Sequence, residues 1–108
     1  MSTLGKWSGL LICIVLMSPA YAQSQLDAID HGRAIVEFNC SGCHGVHRTG
    51  LSRNVAAPLF RDVVKRYPLD NLAEALAEGI MTGHPDMPQF VFRPEEIGAI
   101  LSYLATLK

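Results

Sequence analysis

The chain has 108 residues, with nine Lys or Arg against ten Asp or Glu and a formal net charge of −1. That length allows one small domain, and the near-balanced charge excludes the basic composition of a nucleic-acid-binding protein.

Residues 1–22 read as an export leader. Lys6 and the terminal amine precede an apolar run from Gly9 to Met17, after which Ser18 and Pro19 lead into Ala20-Tyr21-Ala22. Small residues at the first and third places of that triplet suit a signal peptidase, with cleavage after Ala22. The apolar run is about half of what a membrane-spanning helix of ~20 residues needs. Leu4 and Trp7 could lengthen it into an uncleaved anchor, and only in that form is a membrane association expected. A lipid attachment at Cys13 would need a small residue before it, where Ile12 stands. Cleavage would leave residues 23–108 as one exported, periplasmic domain of 86 residues. A domain of that size is marginal on its own core and often depends on a disulfide, a metal or a cofactor.

Along residues 23–108, helical signals are frequent and strand signals few. Leu26, Ile29, Ile35 and Val36 predict a first helix, with Asp27 as a candidate cap, running into Cys40. Residues 45–54 contain Gly45, Gly50, Ser52 and Asn54 and read as loop. Phe60, Val63, Val64 and Tyr67 mark a short helix. Leu69, Leu72, Ala73, Leu76, Ala77 and Ile80 line one face of the next, where Asn71 and Glu74 resemble a capping box and Gly79 and Gly83 mark the end region. Residues 83–92 cannot be regular, because Pro85 and Pro88 bracket Met87. The last helix opens with Pro94 in its first turn and Glu95 and Glu96 near its positive end, and buries Ile97, Ile100, Leu101, Leu104 and Leu107. The expected fold is all-α, with three main helices, one short helix and long loops.

Charge is unevenly spread. Residues 45–66 hold Arg48, Arg53, Arg61, Lys65 and Arg66 with Asp62 as the one acid, while the rest is acidic. Such asymmetry either orients a charged partner or is simply a solvated face.

Chemistry concentrates in Cys40-Ser41-Gly42-Cys43-His44. Cys-x-x-Cys-His reads as c-type haem attachment. Two intervening residues let both sulfurs reach one edge of a porphyrin and form thioethers with its vinyl groups. The adjacent His then falls beneath the ring as the proximal iron ligand. A thioredoxin-like redox pair would instead sit beside a βαβ pattern, which this chain lacks. A zinc site drawn from Cys40, Cys43, His44 and His47 would crowd four ligands into eight residues, whereas structural zinc sites usually take their ligands from separated segments.

At these residues the chain resembles the class I c-type cytochromes, especially the small bacterial mono-haem carriers, over nearly all of residues 27–107. Gly32 matches the glycine at which that family's first helix meets its last, and Tyr103-Leu104 matches the aromatic-aliphatic pair on the last helix. Pro58 matches the proline whose carbonyl orients the proximal His, while Ile80, Gly83, Met87, Pro88 and Phe90 match the pattern around the distal methionine. Val36 stands where the family often has an aromatic residue, with Phe38 offset. The resemblance implies a fold of helices and long loops around one haem, covalently bound at Cys40 and Cys43. His44 and Met87 would hold the iron and Pro58 would orient His44. A His/Met pair raises the potential relative to two imidazoles. His84 is a rival ligand, Met81 the more natural gap-filler, His31 a solvent-facing residue and His47 a loop residue with possible access to a haem edge.

A buried iron with both axial positions filled suits electron transfer rather than substrate turnover. The expected function is a monomeric, non-enzymatic one-electron carrier between a redox donor and a redox acceptor. The alternatives are a haem subunit of a dehydrogenase or oxidase complex, or a small peroxidase or gas-binding protein.

Overall fold

The computed structural model describes Gly5, Ile14, Leu16, residues 18–80 and residues 85–108. Among these the architecture is all-helical: α1 (Pro19–Cys40), α2 (Phe60–Arg66), α3 (Leu69–Glu78) and α4 (Pro94–Ala105). The expected Gly83, Met81 and His84 lie outside the described residues, as does most of the leader.

Helix α1 begins earlier than its apolar spacing suggests. It starts at Pro19, with Ser18 as N-cap and Pro at the first helical position, not at Asp27. Proline there loses no hydrogen bond and presets the helical φ, and no breaker follows until the cysteine motif. The helix therefore runs through the expected cleavage point after Ala22.

Helix α1 packs along α4, which also receives α3 and, more lightly, α2. The core on this axis is Val36, Val46, Val64, Ile100, Tyr103, Leu104 and Leu107, all buried. Val36 is 1% exposed. The smaller side chain at this place is thus a core residue of the α1–α4 contact, while Phe38 points to solvent at 90% exposure. At Gly32 the backbones of α1 and α4 approach so closely that any Cβ would overlap the carbonyl of Ala99. Neither backbone can yield without separating the helices. Gly32→Ala should therefore destabilise the domain by about 3 kcal/mol, at the upper end of overpacking costs. Denaturant unfolding followed by circular dichroism would check this, and an unchanged midpoint would show that the crossing can relax.

Helix α3 shows a different use of an apolar face. Leu72, Ala75 and Leu76 lie on one side of it, yet none of its residues is buried. Leu72 and Leu76 pack in part against the core beside α4, and the rest of the stripe lines a cavity. Asn71 does not cap this helix; Pro68 holds the N-cap place, and Asn71 sits inside the first turn. Gly79 ends α3 at φ 88°, a conformation natural to glycine. Helix α4 has its expected start at Pro94. Glu96 accepts the Arg93 backbone N–H at 2.9 Å, with the Arg93 guanidinium 3.3 Å away, and these donors hold the Glu96 carboxyl below its ordinary value.

Candidate functional site

The cysteine motif occupies the last residue of α1 and the turn beyond it. The Cys40 carbonyl accepts both the Cys43 N–H at 3.2 Å and the His44 N–H at 2.9 Å. The turn thus continues helical geometry for one more step, and residues three apart share a side. Cys40 is half-buried and Cys43 exposed. Burial pushes the Cys40 thiol up to about 11.

His44 has a defined tautomer. Its Nδ1 is 2.7 Å from the carbonyl oxygen of Pro58. A carbonyl can only accept, so Nδ1 carries the proton and donates it. Nε2 is left with its lone pair available to a metal. The pairing that the family resemblance implies between His44 and Pro58 is therefore present. Two further bonds hold this geometry. The Phe60 N–H donates to the Gly45 carbonyl at 2.9 Å, and the Asn54 N–H donates to the Cys43 carbonyl at 3.1 Å. The Phe60 ring stands 5.0 Å from the His44 ring, centroid to centroid, tilted by 49°.

Two adjoining cavities open beside this turn, of about 460 Å³ and about 410 Å³. Both are in the size range of small-molecule and cofactor sites. Cys40, His44, Pro58, Phe60, Met87 and Phe90 line both. The first extends over Ile35, Val36, Leu72, Leu76, Ile100 and Leu104, and the second reaches Cys43, Asn54 and Pro88. Helices α1, α2, α3 and α4 all contribute. The half-buried Met87 sits in the bend after Pro85 and Asp86. Phe90 and Phe92, stacked at 5.8 Å, carry the chain from there to α4.

The donor set fits haem c. Two thiols, an imidazole nitrogen and a thioether sulfur line the two adjoining apolar cavities, the donors and the apolar wall that a covalently bound porphyrin would need. Zinc fits less well. Among the described residues no three His, Cys, Asp or Glu side chains converge as metal ligands. The fourth candidate, His47, is engaged with Tyr103 instead: its Nδ1 is 3.0 Å from the Tyr103 hydroxyl.

That contact belongs to a network absent from the sequence reading. The Tyr103 hydroxyl donates to the Val46 carbonyl at 2.8 Å, so its oxygen accepts from His47 Nδ1–H. Arg48 Nε donates to the Thr106 carbonyl at 2.8 Å, and Arg61 donates to the Gly50 carbonyl at 2.9 Å. Two of the five basic residues in the 45–66 stretch thus pin the loop after His44, in addition to charging the surface. Arg33 lies over the Tyr103 ring at 5.6 Å. The signal available in the sequence was the pairing of a polar aromatic with a core position, since a buried Tyr hydroxyl needs a partner. Tyr103→Phe leaves the buried Val46 carbonyl without its donor. The expected cost is about 1–3 kcal/mol, read as a lower urea midpoint at unchanged slope.

The family described as cytochrome C oxidase, cbb3-type, subunit III matches residues 27–104. A protein of Synechocystis sp. described as cytochrome c-553-like is 35% identical over 78 residues, covering 72% of this chain and 68% of its own length. No solved structure matches the chain significantly.

Proposed function

Since the chain belongs to the c-type cytochrome family, with covalently bound haem c as its cofactor, we propose that it is a periplasmic one-electron carrier between redox proteins. In this reading Cys40 and Cys43 hold the haem through thioethers, His44 is the proximal ligand and Met87 the distal one, and Pro58 orients His44. Residues 1–22 are the signal peptide and residues 23–108 the functional domain, acting as a monomer between one redox donor and one acceptor.

The observation that carries the reading is the presence of His44 and Met87 on the walls of the same two cavities. The bound group supplies an iron that alternates between two oxidation states. Around it the chain would supply two donors, the His44 Nε2 and the Met87 sulfur, with an apolar wall that excludes water and a hydrogen bond from His44 to Pro58 that fixes the imidazole tautomer. With His44 and Met87 both engaged on the iron, no place would be left for peroxide or a gas. Oxidation and reduction then proceed with little rearrangement of the residues named.

Carbon monoxide decides between this reading and a catalyst. The reduced native protein should not bind it within the time of a mixing experiment, and rapid binding would favour the peroxidase or gas-binding alternative. A second reading, a haem-bearing subunit of a larger oxidase or dehydrogenase complex, draws on the description of the matched family. Among the described residues no helix is long and apolar enough to cross a membrane. Size analysis of the untagged protein from its own cells separates carrier from subunit: a free monomer supports the carrier, and stable co-purification with a larger complex supports the subunit.

A further inference from the structure

The His44 imidazole is held at more points than its tautomer requires. Its hydrogen bond to the Pro58 carbonyl fixes one ring atom at 2.7 Å. One such bond leaves the ring free to swing about the line joining the two atoms. The aromatic ring of Phe60 stands against that swing, 5.0 Å between centroids and tilted by 49°, well inside the range of direct aromatic contact.

Phe60 is itself anchored to the residue next to His44. Its N–H donates to the Gly45 carbonyl at 2.9 Å. The two short segments 44–45 and 58–60 are therefore joined twice, once by side chain to backbone and once by backbone to backbone. The ring contact closes the clamp as a third point. Phe60 is also the first residue of α2, so its backbone is fixed by the helix that follows. The arrangement differs from ordinary core filling, because the ring meets the imidazole itself as well as the aliphatic wall.

We propose that Phe60 is a positioning residue that sets the rotational orientation of the His44 imidazole about its hydrogen bond to Pro58. The proposal rests on the reading of His44 as the proximal iron ligand. Partners that orient a ligating histidine tune the metal it holds. The plane of a ligating imidazole selects the iron orbital it overlaps, and so contributes to how unpaired spin spreads over the porphyrin of the oxidised protein.

Proton NMR of the oxidised, haem-loaded protein reads this directly from the four porphyrin methyl resonances. Phe60→Leu, which keeps an apolar side chain but removes the ring, should change their order or narrow their spread. Phe60→Tyr, which keeps the ring, should retain the native pattern. A native pattern in Phe60→Leu, or an equal disturbance in both variants, would overturn the proposal and leave Phe60 as core packing. Should Phe60→Leu fail to retain haem, Phe60→Met is judged by the same criterion. The reading beneath the proposal is checked separately in the unaltered protein: His44 ring protons without a hyperfine shift would show that His44 is not the ligand, whatever the variants do.

Discussion

Replacing Met87 with alanine should abolish the weak long-wavelength absorption that sulfur ligation gives oxidised haem iron, lower the reduction potential, and open the reduced iron to carbon monoxide. The expected fall in potential exceeds about 59 mV, the equivalent of a tenfold shift in a one-electron equilibrium, because a Met/His pair holds the potential higher than other pairs do. The support lies in the placement of the loop. Met87 is half-buried, lines both cavities with His44, and sits in a bend between Pro85 and Pro88. Those prolines restrict the backbone on either side, and the stacked Phe90 and Phe92 lead the segment to the capped start of α4. His84→Ala is the matched control, since His84 is the rival donor three residues earlier in the sequence. All three properties should survive that substitution. If they are lost in His84→Ala and kept in Met87→Ala, the distal ligand is His84 and a low-potential relay replaces the carrier proposed above.

The double variant Cys40→Ala, Cys43→Ala should lose cooperative unfolding altogether. The reason lies in which apolar residues the protein buries fully and which it buries only in part. Helices α1 and α4 bury Val36, Ile100, Tyr103 and Leu104 between them, but α3 has no buried residue and turns Leu72, Ala75 and Leu76 to the cavity. Ile35, Phe60 and Phe92 are likewise only partly buried on its walls. Each fully buried side chain of this kind contributes about 1.5–3 kcal/mol. A domain whose net stability is typically only 5–15 kcal/mol cannot forgo several of them. On the proposed reading, loss of the thioethers would leave the cofactor held only by His44, Met87 and apolar contact, so its retention would fall with that of the fold. A differential scanning calorimetry trace should show no sharp transition in haem-free double variant. A sharp one would show that the α1–α4 core is sufficient by itself.

The sequence by itself determined the chemistry and most of the secondary structure. Cys40, Cys43 and His44 are legible because their relation is local: one turn of chain fixes their relative positions whatever the rest does. The same holds for the apolar spacing of α3 and α4 and for Pro94 at the start of the last helix. Gly32, Pro58 and Met87 stood out through the family resemblance, since a single glycine, proline or methionine carries no local pattern of its own.

What the tertiary structure decided is everything that depends on which distant backbone comes near. The overlap that forbids a side chain at Gly32 exists because Ala99 crosses there. His47, a plain loop residue in the sequence, bonds to Tyr103, and that hydroxyl closes on Val46. Arg48 and Arg61 pin the loop after His44 although their clustering suggested only surface charge. Phe60 is apolar and periodic in the sequence, and only the fold puts its ring against His44. Periodicity records which side of a helix is apolar, but burial is a property of two surfaces meeting. That is why α3 shows the pattern of a core helix and yet buries no residue: its apolar side is covered only in part by the core and otherwise lines a cavity.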